Sequence, residues 1–585
     1  MAAVVVWSLA LFLILYENMS TTGIHVFLDM LAEFGVDRIF GNPGSTELPL
    51  NDALVSDDRF SYILGLQEIP VMAMADGYSM ASGKLSVVNV HICPGLGNAM
   101  GMLYNAYREG TPILVTAGQQ DRRLAFSEPI LGGEMVAVTQ PWTKWSVEVN
   151  RIEDLPNALR RAAQVALTPP TGPVFLSLPV DLQMECVESL KVAPISVPNP
   201  LIRPPLDTVT AAAEMILAAQ NPLIIAGSRV TDRGANDALV KLAETVGVAV
   251  VSEPGTTHGR CPFPSDHSLY GQGLPLWAPD IHKRLERHDL IIVTGMDLFR
   301  LYTYFEPDLA VPQHLRVIHI DEDPVQLGKN FPVDIGIWGH TKVSLEEVTR
   351  ELSSRMTSEL EAVFRRRADS LASQHNEVRT RLRQQIDQQR DARPMTPLCV
   401  MDSIARVLPD NAAIVEEAVT TTNTTIERLG ALKNTTGYFG HRGWGLGWGL
   451  NVAIGTQMAW PDRPVVGIIG DGAALYGIQG LWSAAKYNTP VSFVICNNAQ
   501  YHILKIGAQG MQLPSAGQQQ FNGLDLVEPE IDFVSLAQSL GVEAHKITEP
   551  DQLSEQLTQA INSEKPVLLD VDVSRELGNK LNYGE

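Results

Sequence analysis

Cysteine is sparse in this chain, and nothing pairs it. Five cysteines, at positions 93, 186, 261, 399 and 496, are scattered through 585 residues. The odd count and the absence of a CxxC exclude a disulfide framework and a thiolate zinc site. They read as small buried hydrophobes in a reducing compartment, so the expected location is cytoplasmic. Positive charge is short as well: 44 Lys and Arg against 66 Asp and Glu leave a formal charge of −22. Such a surface repels nucleic acid and anionic lipid, which argues against both as partners. No apolar run reaches the ~20 residues of a membrane-spanning helix. The longest, Ala2 to Tyr16, lacks a basic leading region and a small-residue cleavage site. Met19 directly precedes the segment that reads as folded, so residues 1–19 are taken as an apolar extension rather than a signal peptide or anchor.

What remains is ordinary globular composition, 45% hydrophobic and 19% charged, in a chain long enough for about three or four domains. Three segments repeat one theme, an apolar β-rich run followed by a Gly or Asp turn and a helical pattern, which is the sequence form of parallel α/β architecture. The first, 20–190, holds the strand-like Val87 to His91, Ile113 to Ala117 and Val174 to Leu178. A Pro-rich connector, Val192 to Pro205, leads to the second, 206–345, with Leu223 to Ala226, Val248 to Ser252, Leu290 to Thr294 and Val317 to Asp321. Residues 346–394 mix both charge signs at helical spacing and read as a helical linker. The last segment, 395–577, closes on Val567 to Val573. The expected fold class is therefore α/β, with three doubly wound parallel-sheet domains and no internal sequence repeat.

The last segment carries the chemistry. The apolar run from Val465 ends in Gly470-Asp471-Gly472, and the run Val491 to Cys496 ends in Asn497-Asn498. A carboxylate and an amide just past the ends of two buried strands can aim hard oxygens at one point, and the flanking glycines let a diphosphate approach the backbone. That combination suits Mg²⁺ gripping a diphosphate, because magnesium prefers a few protein oxygens plus phosphate oxygens to an all-protein cage. Either motif alone would be an ordinary turn at a strand end.

Together at this spacing they form the thiamine diphosphate signature, and the chain resembles the thiamine-diphosphate-dependent decarboxylase and acetohydroxyacid synthase superfamily. Phe40-Gly-Asn-Pro-Gly-Ser-Thr-Glu-Leu-Pro49, Ala75-Asp-Gly-Tyr-Ser79, Gly95-Leu-Gly-Asn-Ala-Met-Gly101 after His91, and Thr116-Ala-Gly-Gln-Gln120 are similar to benzoylformate decarboxylases in particular. The resemblance names the three domains pyrimidine-binding, central and diphosphate-binding. It implies Glu68 as the cofactor-activating glutamate, Ser45 as the hydrogen-bond partner of the substrate carboxylate, and His91 as the group that orients the carbonyl and relays protons. It implies cofactor contacts from Thr420, Thr421, Trp444, Gly470, Asp471, Gly472, Ala473, Asn498 and Tyr501, with Leu446 as the apolar prop that keeps the cofactor bent. Mg²⁺ would take Asp471, Asn498 and the backbone carbonyl of Gln500. Tyr302 stands where the subfamily has its second catalytic histidine. With His441, Arg442 and Leu504 it is expected at the substrate pocket, Arg442 as a candidate for an anionic substrate group.

The resemblance thus implies a thiamine diphosphate- and Mg²⁺-dependent decarboxylase of a benzoylformate-like 2-oxo acid. Its cofactor would be clamped between subunits of a homodimer or homotetramer. An acetolactate synthase-like carboligase is the alternative, and an inactive cofactor-binding homologue is a third. Ile225-Ala-Gly227 and Thr294-Gly295 are turns of a nucleotide-compatible kind, but the nearer match is to flavin-free enzymes, so FAD is not expected.

Overall fold

A computed structural model describes residues 21–187, 190, 194–253, 259–301 and 309–577. The apolar N-terminal extension and Tyr302 lie outside the described residues. The chain divides into two units, Met1–Ala75 with Gly83–Val197, and Asp76–Ser82 with Pro198–Glu585.

The first unit is built on a six-stranded parallel sheet. Its strands are β1 (Arg38–Asn42), β2 (Ser61–Leu64), β3 (Ser86–Val90), β4 (Ile113–Gln119), β5 (Ser146–Glu148) and β6 (Val174–Pro179), arranged in the order β2-β1-β3-β4-β6-β5. Strands β3 and β6 are buried at every position, as a sheet covered on both faces requires. Helix Ile92–Glu109 starts immediately after β3, so His91, read from the sequence as the end of a strand, is the residue that caps this helix.

The second unit holds two six-stranded parallel sheets. The central one comprises β7 (Pro222–Ala226), β8 (Val250–Ser252), β9 (Tyr270–Gly273), β10 (Leu290–Thr294), β11 (Arg316–Asp321) and β12 (Ile335–Trp338), in the order β9-β8-β7-β10-β11-β12. Side chains alternate between two cores: Ile224, Val250, Ile292 and Ile318 pack on one face, and Leu223, Val251, Ile291 and Val317 on the other. The third sheet comprises β13 (Ala413–Glu417), β14 (Tyr438–Gly440), β15 (Val465–Gly470), β16 (Val491–Asn497), β17 (Glu543–Ile547) and β18 (Val567–Asp572), in the order β14-β13-β15-β16-β18-β17.

The stretch read as a linker is helical but not all linker. It forms Thr341–Ser354 and Ser358–Gln389, separated by a break at which the Thr357 hydroxyl caps the second helix. The first of these belongs to the central core, because Leu345, Val348 and Leu352 recur at helical spacing and pack with Leu239, Leu242 and Val246. Charge content hid that stripe.

Central and third sheets are joined by buried polar contacts. The Arg260 guanidinium donates from Nε to the Tyr438 carbonyl at 3.0 Å and lies over the Phe439 ring at 4.2 Å. Tyr270 donates its hydroxyl to Glu427, and within the third sheet Tyr438 donates to Glu416 at 2.7 Å. Burial pushes Glu416 up to about 7 and Glu427 up to about 8.

Candidate active site

In an open parallel sheet, ligands meet the carboxyl ends of the strands where the order reverses. In the first sheet that point lies between β1 and β3; in the third it lies between β13 and β15. The residues singled out from the sequence gather at both.

After β1 the chain makes a short 3₁₀ turn, Ser45–Glu47. Ser45 is exposed there, whereas Glu47 points inward and is buried. Its carboxylate accepts from Gly44 N at 3.0 Å, Thr46 Oγ1 at 2.8 Å, Gly118 N at 2.8 Å and His91 Nδ1 at 2.8 Å. Because Nδ1–H is given to Glu47, Nε2 is the His91 nitrogen left to meet a reactant. Glu68 opens helix Glu68–Ser82, is buried, and accepts from Asn98 Nδ2 at 3.0 Å. Gly95 lies between it and the histidine: a Cβ there would sit 2.8 Å from Glu68 Oε1 and 3.3 Å from His91 Cβ. Glu68 and His91 thus meet across Gly95, and Ser45 stands in the turn that carries Glu47 to His91. Glu47 was missed in the sequence, although an acid two residues after Ser45 in a glycine-bounded turn was visible.

At the second point, Asp471 leaves the end of β15 and Asn498 the end of β16, strands paired in register through Gly470 and Cys496. Both side chains are buried. Asp471 Oδ1 accepts from Gly472 N at 2.8 Å, while Oδ2 has no hydrogen-bond partner. Burial pushes Asp471 up to about 6, against the pull of backbone N–H groups of Gly472, Ala499 and Asn498. An orphaned buried carboxylate oxygen is costly without a counter-ion. The Gln500 side chain is committed elsewhere, its amide to the Arg575 carbonyl at 3.0 Å and its oxygen to Lys505 at 2.7 Å, which leaves its backbone oxygen for a ligand. Among the described residues no three His, Cys, Asp or Glu converge to hold a metal by themselves.

Thr420 and Thr421 lie inside a four-residue turn of helix, Val419–Thr422. Thr421 is buried. Asn423 and Thr424 follow in the left-handed region (φ 37° and 53°), as do Trp444 (φ 62°) and Ala499 (φ 48°). Four non-glycine residues in this strained conformation frame the half-site, and for the β-branched Thr424 the cost is of order 1–3 kcal/mol. Leu446 is half-buried in the loop that ends at helix Trp448–Ala459. Glu417, missed in the sequence, anchors that helix by accepting from Trp448 N at 3.1 Å and Gly449 N at 2.9 Å, and burial pushes it up to about 8. Gly472 is needed for its neighbour: a Cβ would lie 2.7 Å from the Tyr501 ring. Gly470 precedes Asp471 without such a clash, Ala473 is buried in the turn of helix after it, and Leu504 is exposed on helix His502–Gly510.

Two pocket expectations change. His441 is completely buried, packed edge-on against Trp444 at 5.4 Å and tilted against Trp448 at 5.6 Å, with neither ring nitrogen bonded. Burial pushes it down to about 4, so it is a neutral core group and cannot line a pocket here. Arg442 packs its Cγ and Cδ against Gly259 and adds to the positive field on Asp297, so its charge already faces a carboxylate.

The sequence matches the model of the thiamine pyrophosphate enzyme in all three parts: the N-terminal TPP binding domain over 21–133, the central domain over 209–348 and the C-terminal TPP binding domain over 419–571. The chain belongs to the thiamine pyrophosphate enzymes, and its fold is their three-domain α/β fold. It is 34% identical to benzoylformate decarboxylase of Pseudomonas aeruginosa over 93% of this chain and 97% of that one. It is 30% identical to a probable acetolactate synthase large subunit of Methanocaldococcus jannaschii, over 94% and 91%. Among solved structures it resembles the thiamine diphosphate-dependent 4-hydroxybenzoylformate decarboxylase of Rhodococcus jostii RHA1, with a TM-score of 0.83, 31% identity, and coverage of 95% of this chain and 100% of that one. The residues present fit the cofactor: the free Asp471 oxygen, beside Asn498 and a backbone carbonyl, is the donor set that a metal-bound diphosphate completes.

Proposed function

We propose that the protein is a thiamine diphosphate- and Mg²⁺-dependent decarboxylase that converts an aromatic, benzoylformate-like 2-oxo acid to an aldehyde and CO₂. The observation that carries this reading is the unpartnered Oδ2 of Asp471 beside Asn498 at the ends of adjacent parallel strands. Asp471, Asn498 and the Gln500 carbonyl would hold the metal, with Thr420 and Thr421 toward the diphosphate, Leu446 as the apolar prop, and Trp444 and Tyr501 as further cofactor contacts. Bound there, the cofactor supplies a carbon nucleophile and an acceptor for the electron pair released with CO₂. Glu68 would hold and return the proton that activates it, in a buried setting where Asn98 fixes the carboxylate. Ser45, exposed in its turn, would bind the substrate carboxylate. His91, oriented by Glu47 through Nδ1, offers Nε2 for proton exchange with the product carbon.

A self-associating, cytoplasmic enzyme fits the same reading. Phe126 and Ile130 are fully and largely exposed and Leu124 is half-exposed, an apolar stretch that suits a second copy of the chain. All five cysteines are free, and among the described residues no helix is long and apolar enough to cross a membrane.

Acetolactate-type carboligation is the second reading, supported by the acetolactate synthase relative. Aromatic, aliphatic and acidic 2-oxo acids should be supplied one by one, with CO₂ and carbonyl products quantified. An aldehyde formed in equal amount to CO₂, fastest with an aromatic acid, is the expected result. A condensed hydroxy-oxo acid as main product would transfer the assignment to the carboligase. Mixing Glu68→Gln with Asp471→Ala subunits, each inactive alone, should restore partial activity in hybrid oligomers with shared sites.

A further inference from the structure

The central sheet carries a recess at the amino ends of β7 and β8 and alongside β9, the end opposite to the crevice at its order reversal. It is a cavity of about 610 Å³ between helix Ala278–Leu285 and helix Ser358–Gln389, a size that takes a small organic ligand. Its floor is apolar, from Leu223, Ala249, Val251, Leu371 and Val378. The walls are not: Lys283, Arg284 and Arg287 line it from one side, Arg367 and Arg381 from the other. Against these five cations the lining has two carboxylates, Asp280 and Glu377. In a chain of net charge −22 such a concentration is unexpected by chance.

Two of the arginines are fixed by neutral partners. Arg367 donates to the carbonyls of Val246 at 2.6 Å, Gly247 at 3.1 Å and Gln220 at 3.3 Å. Arg284 donates to the carbonyls of Gly271 and of Gly273, the latter at 3.2 Å. Burial and the neighbouring Arg287 push Arg284 down to about 10. The nearby Asp289 spends its oxygens on the backbone N–H groups of Gln220 and Asn221, at 2.6 and 2.8 Å. Five positive groups on two opposed walls against two lining carboxylates, with two of the arginines held in place by backbone carbonyls, describe an anion site.

We propose that this cavity binds a small organic polyanion bearing two or more phosphate groups, of the nucleoside polyphosphate class. A 2-oxo acid carries one carboxylate and does not call for cations on two opposed walls. Several phosphates do, and the apolar floor takes the uncharged body of the ligand.

The test uses the whole enzyme saturated with thiamine diphosphate and excess Mg²⁺, so that the cofactor's diphosphate site is filled. ATP and inorganic tripolyphosphate are titrated calorimetrically at low ionic strength. Saturable binding of ATP is expected, weakening as salt is raised. The Arg287→Glu/Arg381→Glu variant, altered at two exposed positions, should bind at least tenfold more weakly with unchanged turnover in the absence of ATP. Should that variant melt below wild type, the Arg287→Gln/Arg381→Gln pair replaces it, with a smaller loss expected. Tripolyphosphate binding as tightly as ATP assigns recognition to the phosphates alone; weaker binding assigns a share to the floor. Absence of saturable binding of both probes, or undiminished binding in the variants, overturns the proposal.

Discussion

The crevices at the order reversals of the outer sheets and of the central sheet are built on the same topological logic and filled in opposite ways. Between β13 and β15 the strand ends present a buried carboxylate with one oxygen unsatisfied. Between β7 and β10 the corresponding acids are already answered. Arg229 donates to Asp297 at 2.9 Å and to Asp321 at 2.8 and 3.1 Å. Burial pushes Asp297 up, yet Arg229, Arg442 and Arg300 outweigh it and hold the carboxyl at about 2. The glycines there serve the protein as well, since a Cβ at Gly227 would meet Met296 Cβ at 2.4 Å and one at Gly295 would meet Val230 N at 2.7 Å. A crevice becomes a site when its charge is left open for a ligand; when the chain closes it, it is structure.

The largest effect should come from the first unit's crevice. Glu68→Gln is expected to keep cofactor affinity while turnover falls by about 10² to 10⁴, the range for losing one acid–base group. Near wild-type turnover, measured with cofactor bound, would separate that crevice from the chemistry. Next comes the closed crevice. Arg229→Met leaves Asp321 buried without its cation, while Asp297 keeps Arg300, and should cost about 3–5 kcal/mol of stability, read by urea unfolding, with cofactor affinity nearly unchanged. A large loss of cofactor affinity instead would break the contrast.

Asp471→Ala should behave in the reverse sense. Cofactor affinity should fall by about 10² or more, a loss of at least ~2.7 kcal/mol, while the cofactor-free protein gains about 1–3 kcal/mol from losing an unsatisfied buried oxygen. Calorimetry and thermal melting of the two forms decide it. Because Asp471 sits at about 6 before binding, protons compete with the metal below that value. Apparent cofactor affinity should therefore drop as pH falls through about 6, by up to about tenfold per unit.

The most gradual effect lies at the join of central and third sheets. Glu427 has its folded value raised to about 8 from an ordinary 4.5, so the folded state binds more protons than the unfolded one between those limits. Its contribution is full below about 4.5 and is lost as pH rises through about 8, with a slope of up to about 1.4 kcal/mol per pH unit. Glu427→Gln should flatten the pH dependence of the cofactor-free protein's stability across that window, and an unaltered slope would remove the residue from the account.

Much of this was legible in the sequence because it depends on short-range pattern. Val465 to Gly472 and Val491 to Asn498 announce buried strands ending in oxygen ligands, and the structure has them as adjacent parallel strands. What was not legible depends on contacts distant in sequence. Glu47 acquires its place only when β1 and β3 pair and bring His91 beside it. His441 reads as a polar pocket residue until Trp444 and Trp448 close over it. Leu345, Val348 and Leu352 disappear into a charged stretch unless the period is weighed above the composition.

The open oxygen of Asp471 also bears on how much of this protein a cell can keep. A ligand that binds only the folded chain adds about 2.7 kcal/mol to its stability when supplied at one hundred times its dissociation constant. Newly made chains without vitamin-derived cofactor lack that increment and expose themselves more often to proteases and chaperones. Thiamine supply would then set the steady-state amount of enzyme as well as its catalytic competence, and a thiamine-starved culture should lose the polypeptide itself faster than dilution by growth predicts.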